Sequence, residues 1–131
     1  RFEAIRSYER YSADNGTLVV KFFLNISRDE QRERFLSRID EPHKNWKFSK
    51  GDIEERAFWH DYQKAFEDAI NETSAPHAPW FVVPADDKKT MRIIVAHAVL
   101  DALEQMDMHY PYISSERADE LKQYRRQLID D

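Results

Sequence analysis

The stretch that decides how this chain is read is residues 26–59, ISRDEQRERFLSRIDEPHKNWKFSKGDIEERAFW. Its basic residues are Arg28, Arg32, Arg34, Arg38, Lys44, Lys47, Lys50 and Arg56. Acids are interleaved with them one for one, so the segment is neutral inside a chain of net charge -5. Pro42 and Gly51 interrupt two helical patterns, and the loop between them carries His43, Lys44, Trp46 and Lys47. A basic loop between two charged helices, with a tryptophan that no core face requires, suggests a mobile flap that closes over an anion. The alternative is a solvated helical hairpin with a small apolar seam, since charge runs are ordinarily solvated faces.

Composition narrows the classes. A length of 131 residues suits one domain with a real core. Hydrophobic residues at 41% and aromatics at 13% exclude a disordered chain. The acidic balance argues against a general nucleic-acid binder. Without cysteine there is no disulfide framework and no thiolate ligand or nucleophile, which fits a cytoplasmic protein. The longest apolar run, residues 17–25, is interrupted by Lys21, so no membrane association is expected. The chain begins at Arg1, inside a helical pattern, as an excised or processed piece would. Its two glycines, Gly16 and Gly51, are too few for a phosphate-cradling loop, which needs several close together. Any phosphate here must be met by side chains, helix N-termini or a segment supplied from elsewhere.

Along the chain, Phe2, Ile5, Tyr8 and Tyr11 step along one helical face until Asn15-Gly16 ends the helix. Residues 17–24 read as a strand apolar enough to be buried on both faces. Ser27 with Glu30 makes a capping-box pattern for a helix that gives out before Pro42. Ser49 and Asp52 open a second helix, expected to run unbroken to about Asn71 with Ile53, Ala57, Tyr62, Ala65, Phe66, Ala69 and Ile70 inward. After a proline-stiffened loop, residues 80–83 form a second short strand closed by Pro84. Asp86 is expected to cap the next helix, with Met91, Ile94, Val95, Ala98, Val99, Ala102, Leu103 and Met106 buried. Ser115 is expected to cap the last, mostly charged helix. Two strands joined by a helical crossover fit a parallel α/β arrangement. Two strands alone do not make a self-sufficient sheet, so they pair with a further segment or with copies of the chain, and a homo-oligomer is expected.

The five histidines show no metal-ligand spacing, and no metal site is expected in this chain. Asp86-Asp87 could attract a cation, but at a strand-to-helix junction capping is the better reading. No serine nucleophile elbow is present. The basic set differs in kind. Arg34 and Arg38 stand four apart on one helical face, Lys47 follows in the loop, and Arg56 lies one turn into the next helix. Guanidinium groups match phosphate oxygens bidentately, and lysine adds a mobile point charge.

Three runs carry a resemblance: FEAIRSYERYSADNGTLVVKFFLNIS (2–27), RFLSRIDEPHKNWKFSKGDIEERAFWHDYQKAFEDAI (34–70) and APWFVVPADDK (78–88). They strongly resemble the polyphosphate kinase 2 family over residues 1–110, and the WKFS-x-x-D-x-x-x-R-x-x-W-x-x-Y and APW-x-x-x-PAD-x-K patterns are specific. The resemblance implies a helix-rich α/β fold, the C-terminal portion of a P-loop kinase-like three-layer architecture with about two parallel strands and a helical lid. It divides a single partial domain into helix and core strand (1–26), lid and long helix (27–71), last strand and closing helix (72–110), and a helical tail (111–131) that the resemblance does not cover.

It also implies phosphoryl transfer between inorganic polyphosphate and nucleotides, AMP or ADP among them, with Mg2+ in the full-length enzyme. Arg34, Arg38, Lys47 and Arg56 fall in the lid that faces phosphates. Asp86 and Lys88 fall near the nucleotide, while Lys89 stands where the family commonly has an aromatic residue. The half that would hold the phosphate loop has no counterpart here, so the chain by itself is expected to be inactive. The alternative is a non-catalytic polyphosphate-binding or self-association module.

Overall fold

A computed structural model describes residues 1–130. In chain order these form α1 (Phe2–Asp14), β1 (Lys21–Asn25), α2 (Arg28–Asp40), a 3₁₀ turn (Pro42–Lys47), α3 (Lys50–Arg56), α4 (Trp59–Thr73), β2 (Trp80–Pro84), α5 (Lys88–Gln105) and α6 (Ser115–Asp130). The two strands are parallel neighbours, in register from Lys21 opposite Trp80 to Asn25 opposite Pro84. The helix-rich α/β fold with two parallel strands is the one the sequence led to.

Local chemistry explains most of the boundaries. Past the end of α1, Gly16 takes a φ of +80°, a left-handed conformation that glycine adopts without strain. Its N–H then reaches Ala13 O, and Thr17 N reaches Ser12 O. At α2, the Ser27 hydroxyl accepts from Glu30 N at 3.0 Å. At α3, Ser49 N donates to Asp52 Oδ2 (3.1 Å), the reach-back half of a capping box.

Five expectations are corrected. The first strand starts at Lys21 rather than residue 17, because pairing opens where Lys21 N meets Pro79 O. The long helix is two helices: α3 closes on tight bonds from Ala57 N to Glu54 O and Phe58 N to Glu55 O, and Phe58 leaves helical geometry. Of the side chains expected inward on this stretch, Ile53, Ala57, Tyr62, Ala65 and Phe66 are exposed. Asp87, not Asp86, caps α5 by accepting from Thr90 N, while Asp86 is taken up by Ser27 N. At α6 the capping hydroxyl is Ser114, which accepts from Arg117 N. Finally, the apolar faces are only partly covered: Leu24, Phe81 and Val82 in the strands and Ile94, Val99, Leu103 and Met106 on α5 are all exposed.

What holds the layers together is polar. Lys21 Nζ donates to both oxygens of Glu9 (2.7 Å each) and to Thr73 O (2.8 Å), with the Trp80 ring 5.3 Å away. Thr73, 2% exposed, gives its hydroxyl proton to Ala69 O and accepts from Trp80 Nε1. One ammonium therefore joins α1, β1, the end of α4 and the start of β2. Around it, Phe23 packs on Phe66 of α4 (4.5 Å between rings), and on the opposite face of the sheet Phe22 stacks on Phe81 (5.5 Å).

Among the described residues, the fully buried apolar side chains are Ala78, Val83 and Ala85. The accessible surface is 10676 Å² for 15.7 kDa. A folded monomer of that mass exposes about 7,300 Å², so roughly 3,400 Å² is in excess, as large as an obligate interface. No helix among the described residues is long and apolar enough to cross a membrane.

Because Glu9 and Lys21 have side chains only 9% and 13% exposed, removing one partner strands the other charge. Lys21→Met is expected to destabilise by about 3–5 kcal/mol, whereas Glu9→Leu with Lys21→Met recovers most of the loss. Urea unfolding of the two variants checks this. Equal stability of the single and double variants would contradict it.

Candidate anion-binding site

Both strands end at one edge of the fold, where Ala85 N continues the ladder to Asn25 O (2.9 Å) and Ser27 N donates to Asp86 Oδ1 (2.7 Å). Helices α2 and α5 start there. Open α/β sheets offer ligand sites beyond the carboxyl ends of their strands. Beside this edge, α2, the 3₁₀ turn and the first turn of α5 enclose a cleft of about 420 Å³.

Five cations line that cleft, Arg34, Arg38, Lys44, Lys47 and Lys88, against two carboxylates, Glu30 and Glu33. The helical period sets Arg34 above Arg38. Pro42 ends the helix and turns the chain back, so that Lys44 Nζ lies 3.0 Å from Ser37 Oγ and also donates to Glu41. Lys88 arrives from a different part of the sequence, on the first turn of α5. Folding has sorted a segment of balanced charge into a face with a positive excess.

The cations are held to different degrees. Arg34 is the most committed: Nε bonds Glu30 Oε1 (2.7 Å) and Nη2 bonds Ala85 O (2.6 Å), which pins α2 to the β2–α5 junction. Arg38 lies over the Phe35 ring at 5.3 Å, with Asp52 of α3 at 3.9 Å, an ion pair too long to hold it firmly. Lys47 Nζ rests 5.0 Å from the centre of the Trp46 ring. Glu41 is kept ionised to lower pH than usual, chiefly by the hydrogen bond from Lys44 and then by that from Ser37.

Of the residues singled out from sequence, Arg34, Arg38, Lys47 and Lys88 meet here. Arg56 does not. Its Nη1 donates to Arg28 O (2.8 Å) and Gln31 Oε1 (2.6 Å), tying the end of α3 to the first turn of α2, and it borders a separate cleft of about 350 Å³. Asp86 borders a third cleft, about 580 Å³, at the strand ends, apart from Lys88. Lys44 and Ser37 were not singled out for the site. Their approach across a proline-broken helix has no periodic signature, because 3₁₀ geometry replaces the 3.6-residue repeat.

Among the described residues, no group of three or more His, Asp or Glu side chains could hold a metal ion. The neighbouring carboxylates Asp86 and Asp87 are engaged with backbone N–H groups of Ser27 and Thr90.

The model of the family "Polyphosphate kinase 2 (PPK2)" matches residues 1–111. An ADP-polyphosphate phosphotransferase of Rhodopseudomonas palustris is 50% identical over 98% of this chain and 45% of its own length. An uncharacterised protein of Leptolyngbya boryana is 44% identical over 98% of this chain and 94% of its own. In structure, the crystal structure of polyphosphate kinase 2 from Arthrobacter aurescens TC1 matches 99% of this chain and 45% of that one, with a TM-score of 0.86 at 41% identity. The chain thus spans about half the length of the named phosphotransferase and of the solved kinase.

The Asp87 cap titrates in a defined direction. Hydrogen bonds from Thr90, the backbone N–H first and then the side chain, hold its pKa below the usual aspartate range. A lowered folded-state pKa means the stabilisation is complete above the ordinary carboxyl range and is lost as pH falls through the folded value. Asp87→Ala is therefore expected to lower the unfolding midpoint at pH 7, and the gap to the parent should narrow below about pH 4. A gap independent of pH would contradict the assignment of Asp87 as an ionised cap.

Proposed function

The chain belongs to the polyphosphate kinase 2 family, and from that membership we propose that it is the lid-bearing part of a polyphosphate:nucleotide phosphotransferase, whose cationic cleft receives the phosphate chain. The observation that carries this reading is the convergence of Arg34, Arg38, Lys44, Lys47 and Lys88 on one cleft in a protein of net charge -5. Such a cleft concentrates positive potential locally and draws in a polyanion despite the unfavourable overall charge.

Arg38 and Lys47, loosely held, supply charge-assisted hydrogen bonds to phosphate oxygens, with Lys44 and Lys88 as further point charges. Arg34 contributes the donors left over from its ties to Glu30 and Ala85. Arg56 sets the spacing of the two lid stems by bridging α3 to α2. In phosphoryl transfer such groups act by positioning and by stabilising charge, with little covalent chemistry for the protein to do. Closing the lid would also exclude water. Among its relatives, a protein of Meiothermus ruber bears the name AMP/ADP-polyphosphate phosphotransferase, which supports mono- and diphosphate nucleotides as the acceptor class.

A second reading, a self-associating or purely binding module, draws on the excess surface and the exposed strand residues. Concentration-dependent sedimentation without polyphosphate binding would favour it.

The test is to incubate the chain with ADP, polyphosphate and Mg2+ and to measure ATP. The expected result is salt-sensitive polyphosphate binding without turnover; absence of binding in low salt would overturn the reading of the cleft, and clear turnover would overturn its being only part of the machinery. Arg38→Ala with Lys47→Ala is expected to weaken binding by roughly ten- to a hundredfold while leaving the unfolding midpoint within a degree or two, because weakly paired surface charges carry little folding energy.

A further inference from the structure

Lys44 and Lys47 lie beyond a helix-breaking proline, yet they face the cleft of Arg34 and Arg38. The 3₁₀ turn that carries them has to be held at a fixed angle to α2. Beside the bond from Lys44 Nζ to Ser37 Oγ, Asn45 ties the turn to the helix end: its Nδ2 donates to Arg38 O at 2.8 Å and to Ile39 O at 2.7 Å. These carbonyls belong to the last turn of α2, where no intrahelical N–H is available. A side-chain amide has two diverging N–H groups, so one asparagine can satisfy two successive carbonyls.

The rest of the turn is built on that anchor. Lys44 N bonds Glu41 O (2.8 Å), Phe48 N bonds Asn45 O (3.0 Å), and Trp46 Nε1 bonds His43 O (3.1 Å). Lys44 and Lys47 flank this arrangement on either side of Asn45.

We propose that Asn45 is a positioning residue for the phosphate cleft: it caps the C-terminal end of α2 and so orients Lys44 and Lys47 toward the anion, without touching the anion itself. This rests on the cleft taking polyphosphate. Aspartate has the same shape but no donors, and it would set a carboxylate against two carbonyls at the negative end of the helix dipole. Alanine removes the tie without adding charge. Asn45 is exposed, so neither change threatens the global fold.

The experiment compares the parent chain with Asn45→Ala and Asn45→Asp. Binding of inorganic polyphosphate is measured across a salt series, and amide hydrogen exchange of residues 42–48 is measured without ligand. Roughly tenfold weaker binding is expected, with the slope of log affinity against log salt reduced by about 1.4, two contacts at roughly 0.7 each as for a single-stranded polyanion. Exchange in the turn should accelerate while protection in β1 and α4 stays as in the parent. A merely structural Asn45 would change exchange or melting and leave the salt slope alone, which would overturn the proposal. Unchanged binding in both variants would do the same. If the parent itself fails to bind polyphosphate, the functional reading fails, and the exchange arm still decides the anchor: an unaltered turn in Asn45→Ala overturns it, and a loosened one upholds it.

Discussion

The fold depends on one buried ammonium. Lys21 stands at the first ladder position of β1 and is met by Glu9 of α1 and by the last carbonyl of α4, with the Trp80 ring beside it. A charge so far out of water is tolerated only when its partners are complete. That requirement fixes the distance between α1, the sheet and the α4–β2 connection more sharply than apolar packing could. Few of the chain's apolar side chains are fully buried, so the polar node has little help.

That rigidity is passed to the cleft. Once the strands are in register, their carboxyl ends coincide, and Arg34 can reach across from α2 to Ala85 O. Helix α2 is thereby tied to the sheet at Arg34 and braced against α3 at Arg56. The cations left weakly paired, Arg38, Lys47 and Lys88, project into the space between. The arginines thus have different physical work: Arg34 and Arg56 hold the frame by satisfying carbonyls, whereas Arg38 is held only by the Phe35 ring and a long ion pair to Asp52.

The surface that remains open is physically informative too. Large apolar patches on α5 and on the strands are costly in water unless covered. The exposed surface exceeds that of a compact monomer of this mass by roughly 3,400 Å².

The sequence by itself determined the family and most of the elements, though not the break between α3 and α4. Helix caps at Ser27 and Ser49, the glycine stop at Gly16, and the apolar runs that form the two strands are local signals, because each depends on a few neighbouring residues and the hydrogen bonds they can make. The basic residues of residues 26–59 were likewise visible in the sequence as a set. Only the tertiary structure decided which of them share a site. Arg56 leaves the cleft and Lys88 joins it because the parallel register, set by Lys21 opposite Trp80, brings the start of α5 beside α2. Lys21 itself looked like an interruption of an apolar strand. Its role depends on partners 12 and 52 residues away, and no local pattern encodes a contact of that range.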